Sequence, residues 1–465
     1  MKLTYDIADK PRGGKLVAFA LQQMLAILAA TIAVPMIIGN GLTPAAAMFG
    51  AGVGTLVYLF FTKKKSPVFL GSSFAFLGSM AAAFAGAASM SVGFLGLIIG
   101  AVLAGLVYVI IALIVKVAGV EWINKLMPAV VIGPTVAIIG LSLAGNAIGD
   151  LQKANAGGSV YVAIICGLVT LFVTMICSVY GNKSMKLIPF IIGILAGYAV
   201  AACFTAIGNA TGNASLLVVD FSPFDIFKAE NIGIESFVSI PEFTFVTAFG
   251  GFGELSGAYI ATVAVAYVPV AFVVFAEHIA DHKNLSSIIE TDLLADPGLH
   301  RTLLGDGVGS ITGAFFGGCP NTTYGESVGC VAISGNASAI TTLVTAVIAI
   351  IFSFIAPFTT FLATIPTCVM GGVCITLYGF IAVSGLKMLQ KVNLDDNANL
   401  FPASIILILG VGGMRLVFGS ITITSIAVAL ILGIVANVIL AKGRSKAASE
   451  PKAEVPAEEN KDDAN

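Results

Sequence analysis

Charge is what this sequence has least of. Only 10% of its 465 residues are Asp, Glu, Lys or Arg, against roughly a quarter in an ordinary soluble domain. Hydrophobic residues make up 58% and the mean hydropathy is +1.01. That scarcity excludes water as the solvent for most of the folded surface, and no nucleic-acid partner is expected. No small-residue cleavage pattern follows the polar stretch Met1 to Lys15, so a removed signal peptide is not expected and insertion falls to the apolar runs themselves. The seven cysteines, at 166, 177, 203, 319, 330, 368 and 374, lie in apolar runs without C-x-x-C spacing. They imply neither a disulfide framework nor a metal site, and read as small membrane-interior side chains.

What the chain does have is a series of long apolar runs. A bilayer core of about 30 Å needs roughly 20 such residues per helix, and that spacing predicts fourteen crossings in an all-α integral membrane protein. Among them are span 3 at 68–86, span 8 at 257–282, span 10 at 322–334, span 13 at 400–418 and span 14 at 422–441. Placing the N-terminus in the cytoplasm puts all but three of the 23 basic residues on that side, as cytoplasmic loops require. The exceptions are Lys153, Lys228 and Arg415. Both termini are then cytoplasmic, in a multi-pass protein of the cytoplasmic (inner) membrane. The segment 208–256, which carries Asp220, Asp225, Glu230, Glu235, Glu242 and Glu254, becomes an outer linker between two halves of seven spans. Residues 442–465 lack the apolar content to fold and are expected to form a disordered cytoplasmic tail.

Seven is odd, so two similar halves run in opposite senses, the inverted-repeat plan of many transporters. The third span of each half carries the same interruption. Span 3 opens Pro67-Val-Phe-Leu-Gly71-Ser72-Ser73-Phe74, and span 10 opens Pro320-Asn-Thr-Thr-Tyr324-Gly325-Glu326. Irregular backbone at membrane depth survives only where protein buries it or where it lines a cavity, and paired interruptions point to a substrate site.

Between Arg301 and Lys387 the only acids are Asp306 and Glu326, and no base occurs. A carboxylate in such surroundings is a functional candidate, because it must find a partner or take up a proton. Glu277 is the second candidate, placed by hydropathy near the cytoplasmic end of span 8, with Asp281 on the same helical face. His278, Asp281 and His282 have spacing that could hold zinc, but the set lacks further ligands and is expected to be an interfacial polar cap rather than a metal site. Asp306 and Arg415 are expected to be paired inside the bundle.

These motifs resemble one known family. Ala276-Glu277-His278, then Asp296-Pro-Gly-Leu-His-Arg301, then Pro320 to Glu326, then Val369-Met-Gly-Gly-Val373 with Tyr378-Gly379, are similar to the nucleobase-ascorbate transporters (nucleobase:cation symporter-2), and within them to the bacterial uracil permeases. Leu21-Gln-Gln23, Ala30-Thr31, Val34-Pro35 and Leu70 to Phe76 extend the likeness across 16–440. The resemblance implies a core of spans 1–4 (16–118) and 8–11 (257–357), a gate of spans 5–7 (119–207) and 12–14 (358–441), and short extended segments in spans 3 and 10. A cytoplasmic N-terminus, 1–15, precedes the core. The resemblance further implies that Glu277 and Glu326 bind the base and that Phe74 stacks on it. Backbone amides near Ser73, Phe74 and Gly325 would donate to it, and Ala30, Tyr324 and Tyr378 would line the pocket. Glu277, Asp281 and Glu326 would couple protons, in preference to sodium, to uptake of uracil or a related base. A homodimer is a family expectation, and no cofactor is implied.

Two positions depart from the family pattern. Asp281 stands where uracil permeases carry His, as it does in purine-type relatives, so a xanthine- or purine-type symporter is the alternative. Ser334-Gly335 stands where Thr-Arg is common. A sulfate-permease type of anion carrier shares the expected fold, but acids rather than bases in the broken spans argue against it. An enzyme would need a nucleophile or a metal site, which these motifs do not supply.

Overall fold

The computed structural model describes residues 3–119, 121–155, 157–228, 232–418 and 421–447. The expected tail beyond 447, with Lys2 and Glu230, lies outside the described residues. In chain order the elements are α1 (Gly14–Ile38), α2 (Pro44–Phe61), β1 (Leu70–Ser72), α3 (Leu77–Ala85), α4 (Met90–Ala118), α5 (Glu121–Leu126), α6 (Ala129–Ser142) and α7 (Ala144–Leu151). Then come α8 (Val160–Tyr180), α9 (Lys183–Leu187), α10 (Pro189–Thr211), α11 (Thr244–Ala248), α12 (Gly257–Ile289) and α13 (Leu299–Gly317). The chain ends with β2 (Asn321–Thr323), α14 (Gly325–Ser334), α15 (Ala339–Ser353), α16 (Ala356–Ala363), α17 (Thr367–Leu389), α18 (Asn397–Val411), β3 (Leu416–Phe418), β4 (Ile421–Ile423) and α19 (Ser425–Ala447). Among the described residues, eight helices are long and apolar enough to cross a membrane.

Local chemistry sets the helix limits. The Thr43 and Ser256 hydroxyls cap α2 and α12 by accepting from Ala46 N and Tyr259 N respectively, and Pro44 occupies the first helical turn of α2, where its missing N–H is harmless. Packing divides the helices into two groups. In one, α2 lies on α13 and α15, α4 on α12 and α13, and α1 on α15; in the other, α6 lies on α17 and α18, α8 on α10 and α17, and α18 on α19.

A seam of small residues joins α2 and α13. Gly305, Gly309, Gly313 and Gly317 recur every fourth residue along α13, facing Tyr58, Gly54, Gly50 and Ala46 of α2 in turn. A Cβ added at Gly50 would collide with Gly313 O, and one at Gly54 with Gly309 O. Such close backbone approach is how membrane helices associate when lipid is as apolar as their side chains.

Several expectations are corrected. The apolar pattern predicts helix through 418 in span 13 and from 422 in span 14, but α18 stops at Val411 and α19 starts at Ser425, with an antiparallel β3–β4 hairpin between them. Gly412 and Gly413, the latter at φ 70°, release the helix. Arg415 lies exposed at the entry to that hairpin, with no hydrogen-bond or ion-pair partner among the described residues, instead of pairing inside the bundle. At the far end α19 continues to Ala447, past the expected boundary at 441.

Candidate functional site

The two interrupted spans meet. β1 and β2 pair antiparallel, with Leu70 opposite Thr323, Gly71 opposite Thr322 and Ser72 opposite Asn321. At this depth every backbone group needs a protein partner. Leu70 N donates to Thr55 Oγ1 at 2.9 Å, Phe69 N to Ser327 Oγ at 3.1 Å, and Ser73 N to Pro320 O at 2.9 Å. Asn321 Nδ2 donates to Gly50 O at 3.0 Å, tying β2 to the glycine seam. Tyr324 OH reaches back to Ser72 O at 2.5 Å, and its ring fills the space where a Cβ on residue 71 would stand, so only glycine fits there.

Each strand leads directly into a helix whose first turn faces one cavity. Phe74 opens a short 3₁₀ turn ahead of α3, and Gly325 and Glu326 open α14. The leading N–H groups of a helix have no intrahelical acceptor and carry partial positive charge, which suits a carbonyl or carboxylate. A small cavity of about 40 Å³ is walled by Ser73, Phe74, Glu277, Tyr324, Gly325 and Glu326, together with Ala75, Ile139, Thr322 and Ile381. A larger one, about 320 Å³, shares Glu277, Gly325 and Glu326 and adds Asp281, Ser384 and Met388. Three carboxylates therefore border one space, and no Lys, Arg or His lines either cavity. Ser73 Oγ is buried without a hydrogen-bond partner among the described residues.

Six of the residues singled out in sequence thus share the small cavity, and Asp281 stands in the adjoining one. Asp281 Oδ2 accepts from Thr323 Oγ1 at 2.8 Å, so β2 holds the acid that replaces the usual His. Tyr378 does not border either cavity; it is buried on α17 and meets Phe74 edge-on, centroids 5.8 Å apart at 79°. Ala30 is buried in α1 and also borders neither.

The expected polar cap at His278 and His282 is corrected. Both rings have no exposed surface, because α12 continues to Ile289 and leaves them, with Glu277, well inside the helix. His278 Nδ1 lies 2.6 Å from Asp306 Oδ2 and its Nε2 lies 2.9 Å from Thr302 Oγ1. Asp306 is paired within the bundle, as expected. His282 Nδ1 donates to His278 O at 2.8 Å, and its Nε2 lies 2.7 Å from Tyr58 OH. The rings stack with centroids 4.1 Å apart. Every ring nitrogen is engaged within the protein.

Sequence reasoning missed Ala75, Thr322, Ile139 and Ile381 on the cavity wall. Thr322 could have been found from its place in the Pro320–Glu326 run. Ile139 and Ile381, one on α6 and one on α17, are indistinguishable in sequence from any other apolar helical residue.

Comparison with known proteins bears on this arrangement. Residues 14–418 match the model of a permease family that takes in the nucleobase-ascorbate transporters. The chain belongs to that family. It is 39% identical over 451 residues to the uracil permease of Bacillus caldolyticus, covering 96% of each chain. To that of Bacillus subtilis it is 36% identical over 459 residues, covering 96% of this chain and 97% of the other. Among solved structures, the transmembrane domain of the cyanobacterial bicarbonate transporter BicA aligns at TM-score 0.56 and 15% identity, over 93% of this chain and all of that one. The murine Slc26a9 anion transporter, inward-facing, aligns at TM-score 0.62 and 12% identity, over 92% of this chain and 68% of the other. At such identities these two share the fold alone. The permease is a multi-pass membrane transporter and not an enzyme.

Proposed function

We propose that this permease carries uracil, or a closely related nucleobase, into the cell in symport with protons. The observation that carries the proposal is the convergence of Glu277 and Glu326 with two helix starts, at Phe74 and Gly325, on one buried cavity without a basic side chain. Uracil presents alternating carbonyl acceptors and N–H donors. The carboxylates accept from its N–H groups and the free amides of the helix starts donate to its carbonyls. The naming of the relatives as uracil permeases supports the same substrate.

Protons are the fitting co-substrate because three carboxylates border the site. One charge moving through 100 mV is worth about 2.3 kcal/mol, and a tenfold gradient of base requires about 1.4 kcal/mol, so one proton per base suffices. Fourteen spans in two inverted repeats, with both termini in the cytoplasm, complete the reading. Its core is 16–118 with 257–357 and its gate 119–207 with 358–441. The two packing groups of helices support that division, with Glu277 and Glu326 on core helices α12 and α14, and Ile139 and Ile381 on gate helices α6 and α17. A purine-type substrate is the second reading, favoured by Asp281 beside the larger cavity.

Uptake of labelled uracil, xanthine and sulfate into membrane vesicles, with and without an imposed proton gradient, tests this directly. Saturable uracil uptake that rises when the outside is acidified, and no sulfate uptake, is the expected result. Xanthine carried in place of uracil would move the assignment to the second reading, and sulfate uptake alone would sink both. A finer check is Thr323→Val, which keeps the shape of β2 but removes the donor to Asp281. A lost hydrogen bond costs about 1 kcal/mol, so KM for the base should rise about fivefold. An unaltered KM would take Asp281 out of the site.

A further inference from the structure

The opening residues of the chain form a strap. Thr4 N and Tyr5 N both donate to Gly335 O, at 2.7 and 3.2 Å. Ala337 N donates to Tyr5 O at 2.9 Å, Ala339 N to Ile7 O at 3.1 Å, and Ser338 Oγ to Asp9 O at 2.6 Å. Leu3 to Ile7 therefore lie alongside the short link between α14 and α15, with Tyr5 bridged in parallel to Asn336, and a turn closed by Asp9 N on Asp6 O at 3.1 Å brings Asp9 back to Ser338. The run Leu3-Thr4-Tyr5-Asp6-Ile7 alternates in the manner of a half-buried strand, and the structure follows it. Residues 3, 5 and 7 are half-buried while Thr4 and Asp6 are exposed.

The buried side is anchored by apolar packing. Leu3 and Ile7 rest on a cluster that includes Val328 and Val331 of α14, Leu285 and Ile289 of α12, and Tyr58 of α2. Tyr5 meets Phe19 of α1 edge-on, with centroids 5.9 Å apart. Gly335 makes the close approach possible. It sits at φ +69°, and a Cβ there would stand 3.1 Å from Thr4 Oγ1 and 3.4 Å from Thr4 N. The departure from the family's common Thr-Arg thus coincides with the place where the strap docks.

The consequence falls on Glu326. α14 has 10 residues, and a helix that short has little stability of its own, so its position comes from whatever grips its ends. One end is held by Tyr324 OH on Ser72 O and by Phe69 N on Ser327 Oγ. The other is held by the strap. We propose that Leu3–Asp9 is a positioning strap that fixes the far end of α14 and thereby sets Glu326 in the cavity. The strap touches no substrate; it acts through the helix, and its transport effect rests on the reading of Glu326 as a base-binding group.

The test uses the full chain in vesicles. Ile7→Asp puts a carboxylate against the apolar cluster, Ile7→Val preserves the packing, and Thr4→Pro removes the shorter bond to Gly335 while sparing the cluster. Uracil uptake kinetics are measured per folded transporter, counted by gel filtration, alongside hydrogen exchange at the α14 amides. Ile7→Asp should raise KM about tenfold and speed exchange through to the Gly325–Glu326 end. Thr4→Pro should shift both in the same direction, and Ile7→Val should match the parent. If the substitutions lower only the amount of folded protein and leave KM and exchange as in the parent, the strap is a stability element and the inference fails. If the parent itself carries no uracil, the functional reading fails instead. Hydrogen exchange then decides the strap alone: faster α14 exchange supports it and parental exchange overturns it.

Discussion

Glu326→Gln should cut uracil uptake about a hundredfold and abolish its response to a proton gradient. The substitution preserves the shape of the side chain, so the cavity stays formed. What it removes is a carboxylate at the first turn of α14, where the helix start favours negative charge. A hydrogen bond to a charged group is worth about 1.5–3 kcal/mol, and the upper end of that range is a factor of about a hundred. The loss of gradient response is a separate effect, because a carboxamide cannot take up and release a proton as a carboxylate does. Initial rates of labelled uracil uptake in vesicles, at two external pH values and normalised to protein in the membrane, measure both effects. A variant that still concentrates uracil against its gradient would remove Glu326 from the coupling step. A variant with parental uptake would remove it from the site altogether.

Gly313→Val should leave little folded transporter. Position 313 lies where α13 crosses α2, and a Cβ there would enter the carboxamide of Asn321, the side chain that ties β2 to Gly50 O. A valine must either push the two helices apart or displace β2. Overpacking a close contact costs about 3 kcal/mol or more, and here both routes also break the strand pairing beneath the cavity. For the detergent-solubilised protein a fall in melting midpoint of about 3 °C or more is expected. Gly379→Ala on α17 is the control, since an added Cβ meets nothing within 4 Å there. Equal melting behaviour of the two variants would contradict the close-packed seam.

The two variants probe features that are unequally visible in the sequence. Glu326 stands out because no base accompanies it over a long apolar stretch, a property of composition alone. The Gly305–Gly309–Gly313–Gly317 period is present in the sequence too, but its meaning depends on a partner: small residues face lipid as readily as they face another helix. Arg415 shows the opposite case. An isolated charge between apolar runs points to burial, whereas Gly412 and Gly413 end α18 and carry the arginine out to an exposed turn.

By itself the sequence determined that this protein lives in a membrane, where most of its helices run, and that its helical pattern breaks at Pro67–Phe74 and Pro320–Glu326. Each of these follows from interactions over a few residues, apolar periodicity and the backbone restrictions of Pro and Gly, and so can be read locally. Only the tertiary structure decided that the two breaks pair with each other, that His278 closes on Asp306 and His282 on Tyr58, that Thr323 holds Asp281, and that the N-terminal residues clasp Gly335. These contacts join segments far apart along the chain. They are chosen by shape and hydrogen-bond complementarity between whole packed helices, which no local pattern encodes.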